Sequence, residues 1–335
     1  MRFIWIVSLY WRPGENPAFW PLHRALSKVL SHPDGRKQHC GNAGGFVDNK
    51  VECVWPLAAV LGEGPMWQAA ESTLWFVDIK GRQIHALNDR TGERRSFATP
   101  EFAAFIFGKS RGEMICGLRS GLFDFDPASG RFELIMKVDA EHAANRLNDG
   151  YVDAQGRLWF GTMDDEGRQQ TGSLYRLTGT SLARMDSGYV ITNGPAMSPD
   201  DCVLYHVDTL QQCVYAFDVD AQGGLSRKRQ FVTISETGVY PDGPTVDSAG
   251  NVWIALFGGW GVRCYSPGGT LLRTIDLPVA QCTKVAFAGE DLRTLYITTA
   301  SVGLSDAERE RQPLAGGLFR TRVEVAGQLT NRFAG

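Results

Sequence analysis

Basic runs, acidic tails, paired cysteines and long apolar stretches are all missing from this sequence. A net charge of −3 over 335 residues leaves no electrostatic footprint for nucleic acid, so no such partner is expected. The seven cysteines, Cys40, Cys53, Cys116, Cys202, Cys213, Cys264 and Cys282, are odd in number and widely spaced, without a C-x-x-C. That excludes a zinc ribbon and a disulfide scaffold. Free thiols in a reducing cytoplasm account for them. The lack of any N-x-S/T acceptor agrees. The apolar run at residues 1–11 is too short to cross a membrane, and no small-x-small cleavage site follows it closely. A cytoplasmic protein is therefore expected, with secretion as the minor alternative because of that run, and no membrane partner. Residues 1–45 are rich in Pro, Gly, His and basic residues and have no strand or helix period. They are expected to be a disordered or non-core extension, with the folded domain at 46–335.

Catalytic signatures of other fold classes are also absent. There is no phosphate loop, no Rossmann glycine pattern, and no H-E-x-x-H among the six histidines. Gly108-Lys-Ser-Arg-Gly112 fits G-x-S-x-G, but a nucleophile elbow must join a strand to a helix. Here Glu113-Met-Ile-Cys116 reads as strand, which puts the serine in a hairpin turn. Asp124-Phe-Asp126 with Gly130 suggests a calcium loop but has Ile135 where the twelfth-position acid belongs. No stretch sustains a helical period.

What the chain does have is glycine (38), aromatics (11%) and a repeat. A polar residue precedes Gly, often then Pro, and an aromatic follows inside a β-rich run. The instances are Glu63-Gly64-Pro65 with Trp75, Asp149-Gly150 with Trp159, Asn193-Gly194-Pro195 with Tyr205, and Asp242-Gly243-Pro244 with Trp253. Between the two lie turn sequences such as Asp153-Ala-Gln-Gly156, Ser198-Pro-Asp-Asp201 and Asp247-Ser-Ala-Gly250. Alternating strands follow, for example Gly172-Ser-Leu-Tyr-Arg-Leu177. Two weaker copies, at 105–132 and 284–319, complete a set of six units of roughly 45 residues. The pattern predicts an all-β, six-bladed β-propeller of four-stranded antiparallel blades around a central channel. Ring closure is expected to pair a strand near Val51 to Trp55 with the C-terminal strands. The blade aromatics are expected in the core.

Equal offsets would bring Glu63, Asp149, Asn193 and Asp242 to one height around the channel. Hard oxygen ligands of this kind suit Ca, Mg, Mn, Zn or Fe(II). Asn-Gly and Asp-Gly are also common turn formers, but Glu-Gly-Pro is not, and the shared phase asks for a shared role.

The segments Leu61-Gly-Glu-Gly-Pro-Met-Trp67, Asn145-Arg-Leu-Asn-Asp-Gly150, Gly161-Thr-Met163, Ile191-Thr-Asn-Gly194, Tyr240-Pro-Asp-Gly243 and Pro313-Leu-Ala-Gly-Gly317 occur in order over about 53–330. Together they resemble the regucalcin/gluconolactonase family. The contexts Leu158-Trp-Phe-Gly-Thr-Met163 and Tyr205-His-Val-Asp-Thr209 are most similar to bacterial pentonolactonases such as xylonolactonase. The resemblance implies a sugar lactonase of oxidative pentose or hexose catabolism. It implies one divalent metal ion held by Glu63, Asn193 and Asp242, and substrate contacts from Arg146, Asn148 and Glu166, with Asp164 and Asp165 adjacent to Glu166. The metal would polarise the lactone carbonyl while Asp242 acts as general base. Asp149 either supports the ligands from behind or meets the ion through water, or is only a turn residue; Asp208 is a further carboxylate expected behind the channel wall. The implied partner is a small sugar lactone, with no obligate protein partner. Two other readings stay open: a calcium-binding, regulatory propeller of the regucalcin type, and a hydrolase of other esters on the same scaffold.

Overall fold

The computed structural model describes residues 50–335. The expected extension at 1–45 lies outside the described residues, as do Cys40, His23, His32 and His39. The described chain is almost entirely strand and turn, an all-β, propeller-like fold. Its one α-helix, Asp306–Arg311, is six residues long and opens on a capping box between Ser305 and Glu308. No helix among the described residues is long and apolar enough to cross a membrane.

Strands come in antiparallel quartets. The first is Gly62–Gln68, Thr73–Asp78, Gln83–Asn88 and Arg94–Ala98. Four such four-stranded sheets stand apart, where six are expected from the repeat. The remaining strands form one eight-stranded sheet. It consists of two antiparallel runs joined by a single parallel bridge between Gly243 and Lys284. The merger has a local cause: a Cβ on Gly243 would lie 2.5 Å from Lys284 Cγ, so only glycine lets these two strands touch. The first strand of each run neighbours the next around a ring. Gly62–Gln68 lies beside Ala103–Gly108, then come Asn145–Val152, Thr192–Met197, Tyr240–Val246 and Cys282–Ala288, which returns to Gly62–Gln68. Glu52–Trp55 pairs antiparallel with Leu318–Arg322, so the N-terminal end of the described chain supplies the outermost strand of the last run.

The recurring sequence motifs have definite structural jobs. Asp153 accepts from the backbone N–H of Gln155 (3.1 Å) and Arg157 (2.8 Å) and from the Trp159 indole (2.8 Å). Asp247 does the same for Ala249 (3.0 Å), Asn251 (2.9 Å) and Trp253 (2.9 Å). One buried carboxylate thus closes the turn and docks the aromatic six residues later. Trp75, Trp159, Tyr205 and Trp253 are all buried, filling the space between adjacent sheets. Trp75, for instance, stacks on Phe97 at 5.9 Å and meets Phe125 edge-on at 6.4 Å.

The serine of Gly108-Lys-Ser-Arg-Gly112 sits in a hairpin turn. Lys109 N–H donates to Glu113 C=O at 2.7 Å, and the Ser110 hydroxyl donates to the Phe333 carbonyl at 3.2 Å. That last contact belongs to a feature the repeat did not predict. Beyond the final strand the chain runs back across the end of the channel away from the Glu63 wall. Gln328 Nε2 donates to the carbonyls of Met197 (3.2 Å) and Val246 (3.1 Å), Asn331 to Val152 (3.1 Å), and the N–H of Ala334 to Gly156 (3.0 Å).

Candidate active site

Each polar position of the repeat falls at a β-bulge in its first strand. The pairing register shifts between Glu63 and Met66, Leu147 and Gly150, Asn193 and Ala196, and Pro241 and Pro244. Gly64 and Gly194 supply left-handed backbone there, with φ of 54° and 77°. A bulge re-aims the side chain beside it. These Gly and Gly-Pro breaks are therefore bulges within strands rather than hairpin turns.

The bulges bring Glu63, Asn193, Asp242, Arg146 and Asn148 to the wall of one cavity of about 90 Å³. The rest of its wall is largely apolar, with Leu61, Met163, Ile191, Tyr240, Phe257 and Val302. A chain of hydrogen bonds fixes the polar groups. Arg146 Nη1 donates to Asn148 Oδ1 at 2.6 Å and to the Leu147 carbonyl at 2.9 Å. Asn148 Nδ2 donates to the Thr192 carbonyl (2.6 Å) and to Asn193 Oδ1 (2.9 Å). The Thr209 hydroxyl donates to the Pro241 carbonyl (3.1 Å), so its oxygen accepts from Asn193 Nδ2 (2.9 Å). This sequence of donors fixes the orientation of the Asn193 amide. Both amide hydrogens of Asn148 are committed, which leaves its carbonyl oxygen as the group able to meet a ligand.

The acids are electrostatically crowded. Glu63 accepts from Gly64 N–H at 2.8 Å. Burial, then the neighbouring Asp149 charge, push its carboxyl up to about 8. Asp242 is raised well above the usual carboxylate range by burial and by the charges of Glu63 and Asp149. Its Oδ1 is buried with no hydrogen-bond partner among the described residues. Such an oxygen calls for a proton or a cation. No three His, Cys, Asp or Glu side chains among the described residues converge as a metal site. The third donor available here is the Asn193 amide oxygen. Glu63, Asn193 and Asp242 are thus an all-oxygen set that fits a hard divalent cation.

Asp149 lies just behind this wall and not on it. It accepts from Gly150 N–H (2.7 Å), Gly194 N–H (2.8 Å) and Lys284 Nζ. It ties three of the inner strands together from behind the ligand wall. Asp208 is buried but holds the Gln211 N–H (3.3 Å) in a turn and does not line the cavity. Glu166 does not join the site either. Its side chain is 51% exposed and pairs with Arg168 at 3.0 Å. The cause is a tight turn: Gly167 N–H donates to the Asp164 carbonyl (2.9 Å), and the Asp164 carboxylate takes the Arg168 N–H (2.7 Å). That turn throws Glu166 outward and places Asp165 on Arg146 Nε at 2.9 Å. Burial would raise the Asp165 carboxyl, but Arg146, Lys80 and Arg119 outweigh it and hold it below its ordinary value.

Sequence reasoning missed Lys284 and Thr209. A lysine inside the largely apolar strand Cys282–Ala288 was the available signal, since an unpaired ammonium is seldom buried. Thr209 carried none beyond its place after Asp208.

Similarity to known proteins agrees with this geometry. Over 295 residues the chain is 37% identical to a 6-deoxy-6-sulfogluconolactonase of Pseudomonas putida, covering 86% of this chain and all of that one. It is 35% identical over 281 residues to an L-arabinolactonase of Azospirillum brasilense, covering 82% and 92%. A crystal structure of a calcium-binding protein, regucalcin, from Agrobacterium tumefaciens superposes with a TM-score of 0.82 at 28% identity, covering 84% and 97%. The family model described as the SMP-30/gluconolactonase/LRE-like region matches residues 61–301, a span that contains every residue of the cavity wall but Val302, and the chain belongs to that family.

Proposed function

We propose that this protein hydrolyses a sugar lactone to its aldonic acid, with a divalent cation held by Glu63, Asn193 and Asp242. The observation that carries the reading is one cavity wall. Three oxygen donors, one a buried and unpartnered carboxylate oxygen, stand beside a buried arginine. A bound dication would polarise the lactone carbonyl and acidify water. Asp242 takes the proton of the attacking water and returns it to the ring oxygen as the ester bond opens. Arg146 has Nε and Nη1 committed to Asp165, Asn148 and Leu147, so Nη2 is the donor it offers to the oxygen that gains charge. Asn148 accepts a sugar hydroxyl through its carbonyl oxygen. Glu63 and Asp242 need positive charge between them to ionise together, which ties the cation to the active protonation state.

We read residues 46–335 as the catalytic unit and its scaffold as a six-bladed propeller. The six first strands that neighbour one another in a ring support that count. So does the single bridge joining the halves of the eight-stranded sheet.

The test is a panel of pentono- and hexonolactones at controlled pH, since lactones also open without enzyme. Chelated protein should be inactive, and Ca, Mg, Mn, Zn or Fe(II) supplied in turn should restore activity. Asp242→Asn should lower kcat by about 100-fold or more, the lower range for a lost general base. Hydrolysis indifferent to chelation would overturn the cation. Cation binding without turnover on any lactone would leave a calcium-binding propeller instead.

A further inference from the structure

Positive side chains gather beside the Arg146 part of the cavity wall. The loops that follow Thr73–Asp78, Met114–Leu118 and Leu158–Asp164 carry Lys80, Arg119 and Asp165, which meet Arg146 of the cavity wall. Asp165 Oδ1 accepts from Lys80 Nζ at 2.6 Å and from Arg146 Nε at 2.9 Å, and its Oδ2 accepts from Arg119 Nη1 at 2.9 Å. Phe102 packs under the same group, with Lys80 Nζ 4.3 Å and the Arg119 guanidinium 5.9 Å from its ring centre. Arg146 and Arg119 already outnumber the one carboxylate they share, before Lys80 is counted. Burial and the charges of Arg146 and Arg119 push the Lys80 ammonium down to about 8, against the pull of Asp165.

We propose that Arg119 and Lys80, with Arg146 behind them, form a subsite for an anionic substituent that the lactone carries away from its ring carbonyl. The inference rests on the lactonase reading and narrows its substrate class to acidic sugar lactones bearing a phosphate, sulfonate or carboxylate. All three present oxygens that accept charge-assisted hydrogen bonds from guanidinium and ammonium. Asp165 holds the cations in place beside Arg146 and leaves Arg119 37% exposed.

The test compares gluconolactone with its 6-phosphorylated form and with a uronic acid lactone. The protein should favour at least one acidic lactone over the neutral one by about tenfold in kcat/KM. Arg119→Gln and Lys80→Gln should each cut that preference by about tenfold, the usual scale for one lost charge-assisted hydrogen bond. Arg119→Lys, which keeps the charge, should recover part of it. Equal rates for acidic and neutral lactones, or a preference untouched by both glutamine variants, would overturn the subsite and leave the lactonase intact. If no lactone is hydrolysed, the lactonase reading fails, and calorimetry with 6-phosphogluconate and gluconate decides the subsite. Tighter 6-phosphogluconate binding that Arg119→Gln abolishes supports it, and equal binding of the two overturns it.

Discussion

His206 is fully buried edge-on to Tyr189, with neither ring nitrogen hydrogen-bonded among the described residues. Burial holds its pKa down to about 3, and that of His85 to about 4. Both values lie below the unfolded value near 6.5, so the unfolded chain binds more protons in acid. The stability these residues contribute is complete above pH 6.5 and falls as pH drops towards 4. His206→Phe keeps the packing and removes the titration. Its unfolding free energy, from denaturant midpoints, should fall less steeply than wild type across that window, by about 1.4 kcal/mol per pH unit. At this scale the candidate wall was readable. Glu63, Asn193 and Asp242 each precede a glycine at a bulge, but so does Asp149, so the local pattern marked four positions and the family resemblance chose three. Glu166 was not readable, because a one-residue choice between Asp165 and Glu166 depends on how the Gly167 turn rotates the chain.

The element that recurs is a strand, an aspartate-closed turn and a strand carrying a tryptophan. Asp153 is wholly buried and holds the Trp159 indole, two backbone N–H groups and Arg157 Nε. Asp153→Ala strands the Arg157 charge and the indole together, and should cost about 3–5 kcal/mol in chemical denaturation. Asp247→Ala breaks the equivalent turn but leaves no buried arginine behind, so it should cost less. The repeat was legible in the sequence for this reason: its bonds close within six residues. Lys284 was not, since its partner Asp149 is 135 residues away. Nor did spacing show that two first strands would touch through Gly243 and merge their sheets.

Across the whole molecule, the last turns of chain do what no repeat unit does. Gln328 reaches a carbonyl 131 residues earlier, and Asn331 one 179 residues earlier. Contacts this remote leave no period to read. Removing residues 326–335 should lower Tm by at least about 5 °C, because several part-buried and backbone hydrogen bonds and the Phe333 packing go with them. A differential scanning measurement that found the truncated protein unchanged would show the segment to be ornamental.

The pairing of Glu52–Trp55 with Leu318–Arg322 also has a consequence for how the molecule is made. Among the described residues, the first strand to be made has its ladder partner in the last. Until that partner emerges, every earlier run of strands can form, yet the circle they belong to stays open. The nascent protein must therefore keep Glu52–Trp55 waiting until Leu318–Arg322 has been made. A chain interrupted before Leu318–Arg322 would have no clasp to close on.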